Sequence, residues 1–89
     1  MIERQIEIVN RLGLHARAAA KLVHTAGRFG CDVTVVKDGH NVDAKSILGI
    51  MALGAAQGTT ISIVCEGSDE QEALESVTEL IANRFDEES

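Results

Sequence analysis

Apolar and polar residues alternate along three stretches of this chain and recur at helical spacing along two others. Ile2-Glu3-Arg4-Gln5-Ile6-Glu7-Ile8 reads as a half-buried first strand with Ile6 and Ile8 inward. Cys31 to Lys37 alternates as a second strand, and Asp38-Gly39 is a strong hairpin signal that returns a short third strand from His40 to Asp43 or Ala44. Thr60 to Cys65 is the fourth, with Ile61, Ile63 and Cys65 inward. Ala19, Leu22, Val23 and Ala26 share one face of a helix from Ala16 to Thr25 or Ala26, ended by Gly27 or Gly30. A capping box of Ser68 and Gln71 opens the last helix. Its stripe of Ala73, Leu74, Val77, Leu80 and Ile81 runs to about Arg84, with Phe85 at its margin. Asp86 to Ser89 reads as a frayed acidic tail. Ser46 is a good N-cap for a short helix from Ile47 to about Leu53, stopped by Gly54. The order is βαββαβα. It predicts an α+β fold, a four-stranded antiparallel sheet covered on one face by three helices.

Composition narrows the function classes. At 89 residues the chain holds one domain, residues 1–89. Two Phe with no Trp or Tyr allow a compact aliphatic core but offer no aromatic platform for bases. Net charge is −6, split unevenly: residues 1–45 carry seven Lys/Arg against five acids, and residues 46–89 carry one Arg against nine. Such a chain is a poor nucleic-acid binder, while the basic excess of its first half suits an acidic protein partner. No apolar run approaches the roughly 20 residues of a membrane span, and no secretory leader stands at the start, so a cytoplasmic protein without membrane insertion is expected. Cys31 and Cys65 lack metal-ligand spacing and fall at apolar strand positions, as buried thiols do. The three histidines offer no helical metal pair, so no metal and no cofactor is expected.

The chemistry concentrates at Asn10-Arg11-Leu12-Gly13-Leu14-His15-Ala16-Arg17. A glycine turn ends the first strand here and places His15 at the mouth of a helix. The first N–H groups of that helix lack intrahelical partners and carry partial positive charge, which attracts anions such as phosphate. Arg17 adds a planar donor fork suited to phosphate oxygens. A neutral, nucleophilic imidazole beside such a site can take up a phosphoryl group. Local physics alone weighs this evenly against a plain structural cap. Arg17, Lys21, His24 and Arg28 step along one helix face as a basic stripe. Ile47, Leu48, Ile50 and Met51 cannot all turn inward on so short a helix, which leaves apolar surface for a partner.

Gly13-Leu14-His15-Ala16-Arg17 closely resembles the active-site motif of the histidine-containing phosphocarrier (HPr) family of the phosphoenolpyruvate-dependent phosphotransferase system. Lys45-Ser46-Ile47-Leu48-Gly49-Ile50-Met51 resembles the regulatory-serine segment of that family, at family spacing. The resemblance implies an open-faced β-sandwich in which His15 accepts a phosphoryl group on Nδ1 and Arg17 stabilises it. It implies a stoichiometric carrier, not an enzyme, that takes the group from enzyme I and passes it to an enzyme IIA domain. It further implies that Ser46 is the regulatory site for a dedicated HPr kinase/phosphorylase. The expected partner surface is Leu14, Ala16, Ala20, Lys21 and His24 with Ile47, Leu48 and Met51. Monomer is the default state for a relay that shows one face to successive partners. The competing reading is a regulatory adaptor, switched at Ser46, that binds a transcriptional regulator. Two departures stand out. Ala18 occupies the position where family members usually carry proline. Asn10-Arg11-Leu12-Gly13 and Asn83-Arg84-Phe85-Asp86 resemble the nitrogen-related relative NPr, whereas the Ser46 segment resembles the sugar branch.

Overall fold

The computed structural model describes residues 1–87. Its strands are β1 (Ile2–Glu7), β2 (Asp32–Lys37), β3 (His40–Asp43) and β4 (Thr60–Glu66). Its helices are α1 (Ala16–Gly27), α2 (Ile47–Ala52) and α3 (Glu70–Ala82), in the expected βαββαβα order. The four strands form one antiparallel sheet in the order β1-β4-β2-β3. Period-2 alternation sets the register. Ile6 pairs with Ile61, and Val33 and Val35 pair with Cys65 and Ile63, so Val33, Val35, Ile61, Ile63 and Cys65 point to the helical side and are buried. Ala19, Leu22 and Ala26 of α1 and Ala73, Leu74, Val77 and Ile81 of α3 meet them there.

The hairpin forms at Asp38-Gly39, both with positive φ (50° and 81°), as the primed turn requires. Ser46 caps α2 through its side chain, which accepts from the Gly49 N–H at 3.2 Å. Both cysteines are free thiols buried in the core.

Three expectations fail at this level. The Ser68 capping box does not form: α3 starts one residue later, with Asp69 at its N-cap and no side-chain cap bond. A distant demand has captured the Asp69 carboxylate, which accepts from the N–H groups of Gly30 (2.8 Å) and Cys31 (2.9 Å) across the loop between α1 and β2. Glu70 serves the turn instead, accepting from the Gly67 N–H at 3.1 Å. The tail is not frayed at Asp86 and Glu87, because Phe85 is fully buried and ties down the chain around it; the rest of that tail, residues 88–89, lies outside the described residues. The third failure, Leu14, belongs to the site.

Arg84, Phe85 and Asp86 have φ of 57°, 53° and 62°, three consecutive non-glycine residues in the left-handed region. Such a conformation costs about 1–2 kcal/mol per residue. Burial of the Phe85 ring and a 2.6 Å bond from the Lys21 ammonium to the Phe85 carbonyl oppose that cost. Phe85 thus enters the core below α3, and the turn sends Glu87 back toward the start of α1.

Candidate functional site

Gly13 turns the chain with φ 66° between the end of β1 and α1. Leu14 N–H donates to the Ala55 carbonyl at 2.9 Å, which fixes the turn against the loop after α2. Leu14 is only 6% exposed, so it belongs to the core and not to the expected partner surface. A Gly-Leu turn gives no local cue to which way the leucine points; Ala55 decides it from 41 residues away in sequence.

His15 is the N-cap of α1, in extended backbone, and its carbonyl accepts the first helical bond from Ala19 at 2.8 Å. Its ring makes no cap bond to the helix amides. The ring's Nε2 instead meets the Glu87 carboxylate. Asn10, fully buried, supports both partners: its amide Nδ2 donates to the Gly13 carbonyl (2.8 Å) and to Glu87 Oε1 (3.2 Å). Burial pushes the Glu87 carboxyl up, but the bonds from His15 and Asn10 and the nearby Lys21 ammonium outweigh it and hold the group below the usual carboxylate range. Glu87 is therefore an anion, and an anionic carboxylate can only accept. The proton of the contact sits on Nε2. In a neutral ring with this contact, Nδ1 is the nitrogen that carries the lone pair.

Arg11, Leu12, His15, Ala16, Arg17 and Glu87 line one open groove. Arg11 and Arg17 are exposed, and neither makes an ion pair among the described residues. The groove thus presents a histidine ring, the start of a helix and two guanidinium forks, a setting that attracts anions.

Apolar surface is exposed at Leu12, which lines the groove, and on α2, which packs against α1. Leu48 is 77% and Leu12 64% exposed, and Ile47 and Met51 are also exposed, while Ile50 of the same helix is fully buried. Ala16, Ala20 and His24 are exposed on α1, as expected of a partner face. The basic stripe is shorter than the spacing implied, because Lys21 is half-buried and its ammonium is engaged by Phe85. Ala18 is buried under the first turn of α1.

Sequence reasoning missed Asn10, Leu12 and Glu87. Leu12 is an apolar residue in a polar turn and could have been counted with the exposed patch. Glu87 stands 72 residues from His15, and its only advance signal is Phe85, an aromatic residue just beyond a helix end.

The βαββαβα fold, with a histidine at the mouth of its first helix and two exposed arginines in the same groove, has the make-up of a small anion-binding domain. The comparisons with known proteins narrow that class. The family model described as the phosphotransferase-system HPr component phosphorylation site matches residues 2–83. The phosphocarrier protein HPr of Cupriavidus necator is 51% identical over 87 residues, covering 98% of each chain. That of Pseudomonas aeruginosa is 52% identical over 84 residues, covering 93% of each. The crystal structure of HPr-C-His from Thermoanaerobacter tengcongensis superposes with a TM-score of 0.96 at 48% identity, covering all of both chains. The chain belongs to the HPr family, and it is a phosphocarrier of the phosphotransferase system.

Proposed function

We propose that His15 is the phosphoryl acceptor of this carrier, on Nδ1, with Arg17 and the first amides of α1 binding the transferred group. The observation that carries this reading is the His15 ring itself, with Nε2 engaged by Glu87 and no cap bond taken from the helix. Nδ1 attacks phosphorus as the bond to the donor's histidine breaks, and a later acceptor takes the group by the reverse displacement. The protein acts stoichiometrically, through a phosphohistidine intermediate. Phospho-enzyme I is the donor and an enzyme IIA domain the acceptor, in the cytoplasm, and the carrier works as a single protomer. Both partners use exposed Leu12, which lines the groove, together with Ile47, Leu48 and Met51 on α2, the helix packed against α1, because desolvated apolar contacts there exclude water from a labile phosphoramidate.

Ser46 is exposed at the start of α2, next to Ile47 and Leu48. A phosphoryl group there adds nearly two negative charges to an apolar docking face, so its modification by a dedicated kinase slows transfer.

The test is transfer to a purified enzyme IIA domain in a mixture of phosphoenolpyruvate, enzyme I and this protein. Wild type supports transfer, His15→Ala abolishes it, and Arg17→Ala slows it by about 10- to 100-fold, the loss of one charge-assisted donor pair. Transfer by His15→Ala at the wild-type rate overturns the reading.

A further inference from the structure

We infer that Asn10 is a positioning residue for phosphoryl transfer: its buried side-chain amide locks the peptide that leads into His15, and so sets the ring and the first amides of α1 in place for the incoming group. This inference rests on His15 being the acceptor.

Asn10 opens the turn between β1 and α1 and is fully buried, whereas Arg11 and Leu12 at the tip of that turn are exposed. The Gly13 N–H donates back to the Asn10 carbonyl at 3.2 Å, which closes a four-residue turn. Across the same turn, Asn10 Nδ2 donates to the Gly13 carbonyl at 2.8 Å. From the other side, the Leu14 N–H donates to the Ala55 carbonyl at 2.9 Å. The peptide that joins Gly13 to Leu14 is therefore held at its carbonyl and at its N–H. A trans peptide is a rigid plane, so only the dihedrals of Leu14 and His15 lie between this fixed plane and the first turn of α1. The His15 ring takes no cap bond from the helix, so the helix start does not by itself fix where the ring stands.

The Asn10 amide is committed to this task. Its second Nδ2 hydrogen goes to Glu87 Oε1 at 3.2 Å. Both partners of Nδ2 are acceptors, which fixes the amide with its NH2 group toward them. The buried Oδ1 accepts nothing from any described residue, so the side chain is anchored through Nδ2 alone.

Transfer is sensitive to such an anchor. The Nδ1–P bond forms as the bond from phosphorus to the donor nitrogen breaks, and the three atoms must lie nearly in line. A displacement of about 1 Å in a reacting group costs on the order of 100-fold in rate. Arg11 rides on the same turn and lines the groove with His15 and Arg17, so a slack turn displaces a guanidinium as well. Docking residues Ile47, Leu48 and Met51 are carried by α2 and not by this turn. The loss of Asn10 therefore falls on the transfer step and not on binding.

Single-turnover transfer from purified phospho-enzyme I, followed over a range of carrier concentrations, separates the two. In Asn10→Ala the limiting rate falls by about tenfold or more, while the half-saturating concentration stays within about twofold of wild type. Asn10→Ser keeps one donor at shorter reach and falls between the two; if Asn10→Ala does not fold, a loss of about threefold or more in Asn10→Ser carries the test. Val33→Ala is the stability control. It thins the core at the end of the sheet where Cys65 pairs with Ile2, away from the turn, and leaves both constants unchanged. Amide hydrogen exchange needs no phosphoryl chemistry: Leu14 N–H exchanges about tenfold or more faster in Asn10→Ala, measured against the amides of β4. A wild-type limiting rate in folded Asn10→Ala, an equal loss in Val33→Ala, or unchanged relative exchange at Leu14 overturns the inference. Failure of wild type to accept phosphate from an active enzyme I overturns the carrier role of His15 instead, and exchange at Leu14 then still decides whether Asn10 locks the turn.

Discussion

Gly13 and Ala55 lie so close that a methyl group on Gly13 would sit 2.5 Å from the Ala55 carbonyl oxygen. The same oxygen accepts the N–H of Leu14 at 2.9 Å. One backbone contact therefore fixes the turn that carries His15 to the loop that follows α2, the helix of the exposed apolar patch.

Gly13→Ala should destabilise the fold by about 2–4 kcal/mol, since φ of 66° is strained for alanine and the added carbon also meets the Ala56 Cα at 2.9 Å. Urea unfolding with an unchanged m-value is the check. A loss below about 0.5 kcal/mol would mean that the two loops are free to separate.

Phe85→Ala removes a fully buried ring and should cost about 3 kcal/mol. It should also release Glu87 from His15, because the ring is what holds the left-handed turn. The ring 15N shifts of His15 should then differ from those of wild type. Wild-type shifts in a folded Phe85→Ala protein would show that Glu87 finds His15 without its anchor.

Much of this molecule was legible in its sequence, for local reasons. Strand alternation, the Asp38-Gly39 turn and the Ser46 cap are settled by neighbours in the chain, and the structure agrees with each. His15 falls at the helix start because Gly13 and the alanines after it dictate where α1 begins. The misreadings share one cause, long-range competition for a group. Ser68 and Gln71 have the spacing of a capping box, but the amides of Gly30 and Cys31 draw in Asp69 and set the start of α3. Leu14 looked like surface until Ala55 packed the turn inward. Glu87 looked like solvated tail because nothing near it in sequence reveals a histidine 72 residues away.

The Asp69 contacts predict an acid dependence. Bonds from the Gly30 N–H first, then from the thiol and amide of Cys31, hold this carboxyl below its ordinary value of 3.8 despite partial burial. A folded-state value depressed in this way stabilises the fold fully above the unfolded value, and the contribution disappears as pH falls through the folded one. Stability followed by denaturant unfolding should therefore decline as pH drops below about 4. Asp69→Asn should be less stable near neutral pH and decline less in acid. Some slope should remain, because Glu70, bonded by the Gly67 N–H and the N-terminal amine, and Glu87 are held low as well. Equal acid slopes in wild type and Asp69→Asn would remove Asp69 from this role.

Leu48→Asp separates docking from folding. The side chain is 77% exposed, so unfolding free energy should stay within about 0.5 kcal/mol of wild type. Binding to enzyme I should weaken by tenfold or more, as expected when a charge enters an apolar contact. Calorimetric titration reads the effect, and unchanged affinity would place the docking face elsewhere.

The central claim is that His15 carries the phosphoryl group, and intact-protein mass tests it most directly. Wild type and His15→Ala are each incubated with phosphoenolpyruvate and an enzyme I shown to be active on another carrier. The account predicts one acid-labile phosphate on wild type and none on the variant. A phosphate on His15→Ala, or none on wild type, would contradict it.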